Sequence, residues 1–214
     1  MDALLDLHIN NGHGNRSAAL AASLPYTTGS MLAAAREALR NGIGAISPTS
    51  GFHHAGYAYA AAYCTLNGLM TTAQNLDVRR IGVLDFDQHY GDGTDDIIDR
   101  LDLEGRVIHR GHPGRGDAEG WLETIAGTLE AFADCDVVLY QAGADPHIDD
   151  PLGGFLTTDQ LRRRDRAVFE TCRAMGLPVA WNLAGGYQRD AAGTIRPVLD
   201  IHDNTLIEAG RVWL

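Results

Sequence analysis

The chain has 214 residues, 45% of them hydrophobic and 21% charged. This composition suits one folded domain with a real core and excludes a wholly disordered chain. The formal charge of −11, from 17 Lys+Arg against 28 Asp+Glu, argues against direct contact with nucleic acid or an anionic membrane and favours neutral or cationic substrates.

No apolar run approaches a membrane span, and the opening Met1-Asp2-Ala3-Leu4-Leu5-Asp6 lacks the basic start of a signal peptide. Cys64, Cys135 and Cys172 have apolar neighbours and no CxxC spacing. They read as buried free thiols of a cytoplasmic protein.

In chain order, residues 10–15 form a polar, glycine-containing turn. Strong helix formers predict a helix over 30–39, with Ser30 as N-cap and Asn41-Gly42 as its end. A short strand is expected at 43–47 and a helix at 63–75. The continuous apolar run ending in acids at 81–87 predicts a buried strand. A helix at 95–101, a strand at 107–108, a helix at 117–133 and a strand at 136–141 come next. The following helix spans 158–175, capped by Thr157 and closed by Gly176, and a strand covers 178–183. The tail is expected to be helix interrupted by Pro197, then strand over 206–214. Strands alternating with helices predict a single α/β domain with a mainly parallel sheet flanked by helices.

In such sheets ligands bind beyond the carboxyl ends of the strands, and here those ends carry unusual residues. Gly51-Phe52-His53-His54-Ala55 comes after the first strand. Asp85-Phe86-Asp87-Gln88-His89-Tyr90-Gly91-Asp92-Gly93-Thr94 comes after the second. Gly143-Ala144-Asp145 and Asp150-Pro151-Leu152 come after the fourth, and Gly185-Gly186-Tyr187 after the fifth. Taken singly, an acid after a strand is more often a helix cap, and a tandem His is weak evidence. Together they gather carboxylates and imidazoles at one sheet edge, where burying them unpaired is costly and either a divalent metal or a charge network offsets the cost. His8, His13, His109, His147 and His202 receive no functional role.

These motifs, over residues 28–188, resemble the histone deacetylase superfamily, which includes bacterial acetylpolyamine amidohydrolases. Tyr63-Cys64-Thr65-Leu66-Asn67 is similar to a further family segment, Phe-Cys-x-x-Asn. The resemblance implies the arginase/deacetylase-like three-layer α/β/α fold. It implies Asp87, His89 and Asp145 as ligands of one zinc ion. It makes His53 and His54 the catalytic tandem histidines, paired with Asp85 and Asp92, and Tyr187 the catalytic phenol. Tyr63 and His112 would wall an acyl-lysine tunnel, with Leu152 near its mouth, and Gly185 and Gly186 would shape the substrate side of the Tyr187 loop. Asp85 and the backbone around Asp87 and His89 are similar to the family's monovalent-cation site, usually potassium.

Where the family repeats His, this chain has Tyr90, and only 52 residues precede His53. The expectation is a reduced tunnel rim, an exposed sheet edge and a homo-oligomer that buries it. The implied activity is zinc-dependent removal of acetyl groups from acetyl-lysine or acetylpolyamines. The acidic surface and the polar tunnel walls favour small cationic acetyl-amines. The alternative is a catalytically weak module that binds acetylated or cationic ligands. A ureohydrolase of the arginase type is set aside, because it requires Asp-x-His-x-Asp where this chain has Asp-x-Asp-x-His.

Overall fold

A computed structural model of the protein describes residues 10–111 and 116–214. The elements are, in order, α1 (Ala18–Asn41), β1 (Gly44–Ser47), α2 (Gly68–Asn75), β2 (Ile81–Asp85), α3 (Asp92–Arg100) and β3 (Val107–Gly111). They continue with α4 (Ala118–Glu123), α5 (Ile125–Glu130), β4 (Val137–Gly143), α6 (Thr158–Met175), β5 (Val179–Ala184) and α7 (Arg196–Trp213). Among the described residues five strands form one sheet in the order β1-β5-β4-β2-β3, and every neighbouring pair is parallel. The expected α/β class is therefore the observed one.

Two cores sandwich the sheet. Period-two alternation sends Val138 and Tyr140 of β4 to one face, where they meet Leu129, Phe169, Cys172 and Val212. Val137 and Leu139 of the same strand face the other way, onto Met31, Ala35, Leu69 and Ile98. β4 lies between β5 and β2 and is buried at all seven positions, as a strand covered on both faces must be. All three cysteines are free and buried.

Four elements depart from the sequence-based expectation. The first helix begins twelve residues early, with Ser17, not Ser30, as its N-cap; the Ser17 hydroxyl accepts from Leu20 N–H. Pro25 lies inside this helix. It is tolerated because Ala21, Leu24, Thr28, Met31, Ala35 and Ala38 continue one buried stripe across it. Residues 63–67 are not helical: Ala62 and Tyr63 have φ of 43° and 66°, and the helix starts only after Asn67 caps it. The expected helix at 117–133 is two short helices broken at Thr124. The tail is one continuous helix, not helix then strand. Pro197 falls at its first turn, where a missing N–H costs nothing.

Candidate active site

β2 and β4 are adjacent and in register, with Asp85 level with Gln141. Asp87 lies two residues past Asp85, and Asp145 just past the end of β4. Both are buried, at 2% and 0% exposure. His89 closes the group: its Nδ1 is 3.2 Å from Asp87 Oδ1 and 2.8 Å from Asp145 Oδ2. One donor atom from each of the three lies within 4.8 Å of the others. Backbone amides fix the carboxylates. Asp87 Oδ1 accepts from His89 N–H at 2.9 Å, and Asp145 Oδ1 from Gln88 N–H at 3.1 Å.

The electrostatics of this trio are those of a site short of positive charge. Burial, with Asp145 and Asp85 nearby, pushes the Asp87 carboxyl up to about 7 against the pull of His89. Hydrogen bonds to Asp145 and Asp87 raise the His89 imidazole to about 10. Two buried carboxylates thus recruit a proton on the one imidazole that reaches both. Two oxygens and one nitrogen converging from three side chains are a donor set that suits a zinc-like ion with an open position.

His53 and His54 stand beside the trio with ring centroids 4.1 Å apart. Each presents Nδ1 to a carboxylate: His53 donates to Asp85 Oδ2 at 2.8 Å, and His54 to Asp92 Oδ1 at 2.6 Å. In a neutral ring, a proton held on Nδ1 leaves Nε2 as the free acceptor. His53 Nε2 is 3.7 Å from Asp87 Oδ1, and the His54 ring is 6.2 Å from that of His89. The two differ in charge. Burial opposes protonation of His53, but Asp85, Asp87 and Asp145 carry it up to about 9. Burial and the neighbouring His53 lower His54 below its ordinary value, because its partner Asp92 does not fully compensate.

Tyr187 arrives from β5 through two glycines whose φ values, 52° and 96°, are closed to most side chains. Its N–H donates to Asp150 Oδ2 at 2.7 Å. Its ring is 6.5 Å from that of His89 and 6.1 Å from that of Tyr63. Burial and the nearby Asp87 and Asp145 raise the phenol well above its usual range, so it remains a donor.

A cleft of about 280 Å³ opens over these groups. His53, His54, Asp87, Tyr63, Gly185, Gly186 and Tyr187 all line it. Leu152 is exposed, and its N–H donates to Asp150 Oδ1 at 3.0 Å, the carboxylate whose Oδ2 accepts from Tyr187 N–H. His112 lies outside the described residues.

Other residues at the site carry no signal in the sequence. His13, and Leu20, Leu24 and Thr27 of α1, form a wall of the cleft. That wall is invisible while the helix is thought to begin at residue 30. His109 donates to Asp95 Oδ1 at 2.6 Å, and its Nε2 lies 3.8 Å from Asp85 Oδ2. The only clue to it is its place at a strand end.

The histone deacetylase domain model matches residues 10–109 and 112–198. An uncharacterized protein of Picosynechococcus is 33% identical over 186 residues, covering 76% of this chain and 62% of its own length. Acetylpolyamine amidohydrolase 1 of Pseudomonas aeruginosa is 28% identical, covering 66% of this chain and 50% of its own. A probable deacetylase of Methanothermobacter thermautotrophicus is 29% identical, covering 78% and 60%. The chain thus spans about half to three-fifths of the length of these relatives. A crystal structure of a histone deacetylase homologue complexed with SAHA superposes with a TM-score of 0.66 at 20% identity, covering 87% of this chain and 56% of that one, a likeness of fold. With the family model matched over most of its length, the chain belongs to the histone deacetylase family.

Proposed function

We propose that this chain hydrolyses N-acetyl amides of small amines, with Asp87, His89 and Asp145 holding one zinc ion. The observation that carries the reading is the convergence of two buried carboxylates and one imidazole below a cleft walled by two further histidines and a phenol. When bound there, a divalent ion supplies Lewis acidity that an amide carbonyl and a water molecule otherwise lack.

The remaining work falls to the chain's own side chains. His54, kept neutral by burial and oriented by Asp92, takes a proton from the attacking water on Nε2 and later delivers it to the leaving amine. His53, held by Asp85 and charged, steadies negative charge developing beside it. The Tyr187 hydroxyl donates to the developing oxyanion. Tyr63 flanks the substrate's alkyl chain.

The monovalent cation that the resemblance implies beside Asp85 fits these residues poorly. Asp85 Oδ1 accepts from Asp87 N–H at 3.1 Å and Oδ2 from His53, and the His109 imidazole stands next to Oδ2. Burial disfavours charge on His109, but Asp85 and Asp95 raise it to about 9, so a positive charge already serves that carboxylate. No step is assigned to such a cation.

The substrate reading, small cationic acetyl-amines and not an acetylated peptide, is supported by the charge of −11 and the polar Tyr63 wall. Among the described residues no helix is long and apolar enough to cross a membrane. The test combines elemental analysis of protein purified without added metal with kcat/KM for acetylputrescine and for an acetyl-lysine peptide at several ionic strengths. One equivalent of zinc is expected, with a preference for acetylputrescine that weakens as salt rises. Two equivalents of manganese, or no turnover of either substrate after zinc reconstitution, refutes the reading.

A further inference from the structure

Arg164 is a fully buried guanidinium behind the candidate centre, and it takes no part in the mechanism proposed for that centre. It belongs to α6, where Leu161, Asp165, Val168 and Phe169 share its buried face. An isolated buried charge is costly, so the partners of this one are informative. Nε donates to Asp165 Oδ1 at 2.8 Å. Nη1 donates to the carbonyl of Gly143 at 2.6 Å and, more weakly, to that of Phe86 at 3.3 Å. Asp165 is held in turn from both sides. Tyr140 of β4 donates to its Oδ1 at 2.5 Å, and Thr205 of α7 to its Oδ2 at 2.6 Å.

The two carbonyls matter because each lies directly upstream of a candidate ligand. Phe86 immediately precedes Asp87, and Gly143 precedes Asp145 by two residues. The packing between them leaves no slack. A Cβ on Gly143 would lie 2.5 Å from Asp87 Cα, 2.7 Å from the Phe86 oxygen and 3.0 Å from Asp145 Oδ1. The guanidinium therefore ties together the two strand ends that carry the two carboxylates, where they pack in direct contact. Nη1 alone reaches both carbonyls, and the planar guanidinium fixes its direction because Nε is tied to Asp165, whereas an ammonium on a flexible stem has no second donor so tied.

We propose that Arg164 is a positioning residue for the metal centre: by clamping the Phe86 and Gly143 carbonyls it sets the separation of the Asp87 and Asp145 carboxylates, and Asp165 and Thr205 hold the clamp in place. The inference rests on the reading of Asp87, His89 and Asp145 as metal ligands. Changes to groups that orient ligands typically weaken metal binding about 10- to 100-fold.

Zinc affinity, measured by competition with a chromophoric chelator, and the visible spectrum of the cobalt-substituted protein test it. Arg164→Lys and Arg164→Met are compared with wild type and with Arg162→Met. The last removes another arginine of α6, one that pairs with Glu208 far along the chain. Arg164→Lys and Arg164→Met are expected to bind zinc at least about 10-fold more weakly and to alter the cobalt bands. Arg162→Met is expected to lower the melting temperature with affinity unchanged. Should the Arg164 variants not fold, Thr205→Val keeps the guanidinium but frees one side of Asp165, and a several-fold loss of affinity is expected. Folded Arg164 variants with wild-type affinity and cobalt spectrum, or Thr205→Val with wild-type affinity where those variants do not fold, overturn the inference alone. A wild-type protein that binds no zinc overturns the reading of the centre as well.

Discussion

His202 gives the protein an acid-sensitive stability of calculable size. It lies on α7, 7% exposed, and among the described residues its Nδ1 has no hydrogen-bond partner. Burial and, secondarily, the Arg164 charge lower its pKa from 6.5 to about 4, against weaker opposition from Asp165 and Asp145. Proton counting gives the sign. Between pH 6.5 and 4 the unfolded chain binds a proton at this imidazole that the folded chain refuses, so stability falls as pH falls. Above pH 6.5 neither state is protonated and the contribution is complete; below pH 4 both are, and the loss stops growing. At about 1.36 kcal/mol for each unit of pH, the whole window comes to about 3 kcal/mol, of which about 2 kcal/mol is gone by about pH 5. Replacing His202 with Leu removes the titrating group at little hydrogen-bonding cost. Urea unfolding of both proteins from about pH 8 to about pH 4 is the assay. Every other titrating group is shared, so its effect cancels in the difference. Relative to its value at about pH 8, the stability of His202→Leu should gain on wild type by about 2 kcal/mol at about pH 5. A difference that stays flat across this range refutes the reasoning.

The same contacts lead to further outcomes. Tyr187→Phe should lower kcat by roughly 100- to 1000-fold with zinc content unchanged, and His54→Ala by at least about 100-fold, because both groups act on the reaction and not on the ion; near-wild-type turnover by either variant removes its assigned role. Asp145→Ala should lose both metal and activity, read by elemental analysis and the acetylputrescine assay. Thr157→Ala breaks the reciprocal bonds between Thr157 and Gln160 at the start of α6 and should cost about 1 kcal/mol in chemical denaturation. Among the described residues β1 and β3 stand at the two edges of the sheet, and we propose that pairing at an edge makes the protein a homo-oligomer; a monomer in light scattering across the micromolar range contradicts this.

The parallel sheet was legible because strands alternate with helices, and because the apolar run of β2 gives way abruptly to acids, a pattern of burial on both faces. A gathering of carboxylates and imidazoles could be anticipated because strand ends of a parallel sheet share one edge, and the family resemblance singled out Asp87, His89 and Asp145 among them. What escaped depended on rotation and on long-range contact. Arg162, Arg163, Arg164 and Arg166 look alike in the sequence, as a solvated helix face does. Only the angle at which α6 meets the sheet decides that Arg164 is sealed inside while Arg162 and Arg163 reach Glu208 and Glu119. Strong helix formers set the start of the first helix at residue 30, whereas the buried stripe carries it back to Ala18 through Pro25, and with the missed turns went one wall of the cleft. Tyr63 suggested helix, yet its left-handed backbone is held by a partner far back in the chain, the Gly12 carbonyl.

That last contact has a bearing on how new specificities arise. The loop at 10–15 and the segment at 61–65 are joined chiefly through main-chain atoms. Tyr63 N–H donates to the Gly12 carbonyl at 2.9 Å, and the Thr65 hydroxyl to the Asn11 carbonyl at 2.5 Å. The floor of the cleft, by contrast, is made of side chains whose identities are the chemistry. A cleft built this way separates what must be kept from what is open to change. The rings of His13 and Tyr63, whose centroids are 5.7 Å apart, can be exchanged for others with the backbone seam intact, while the carboxylates and imidazoles below stay where they are. Random substitution at this wall is therefore the direct route to a different ligand preference.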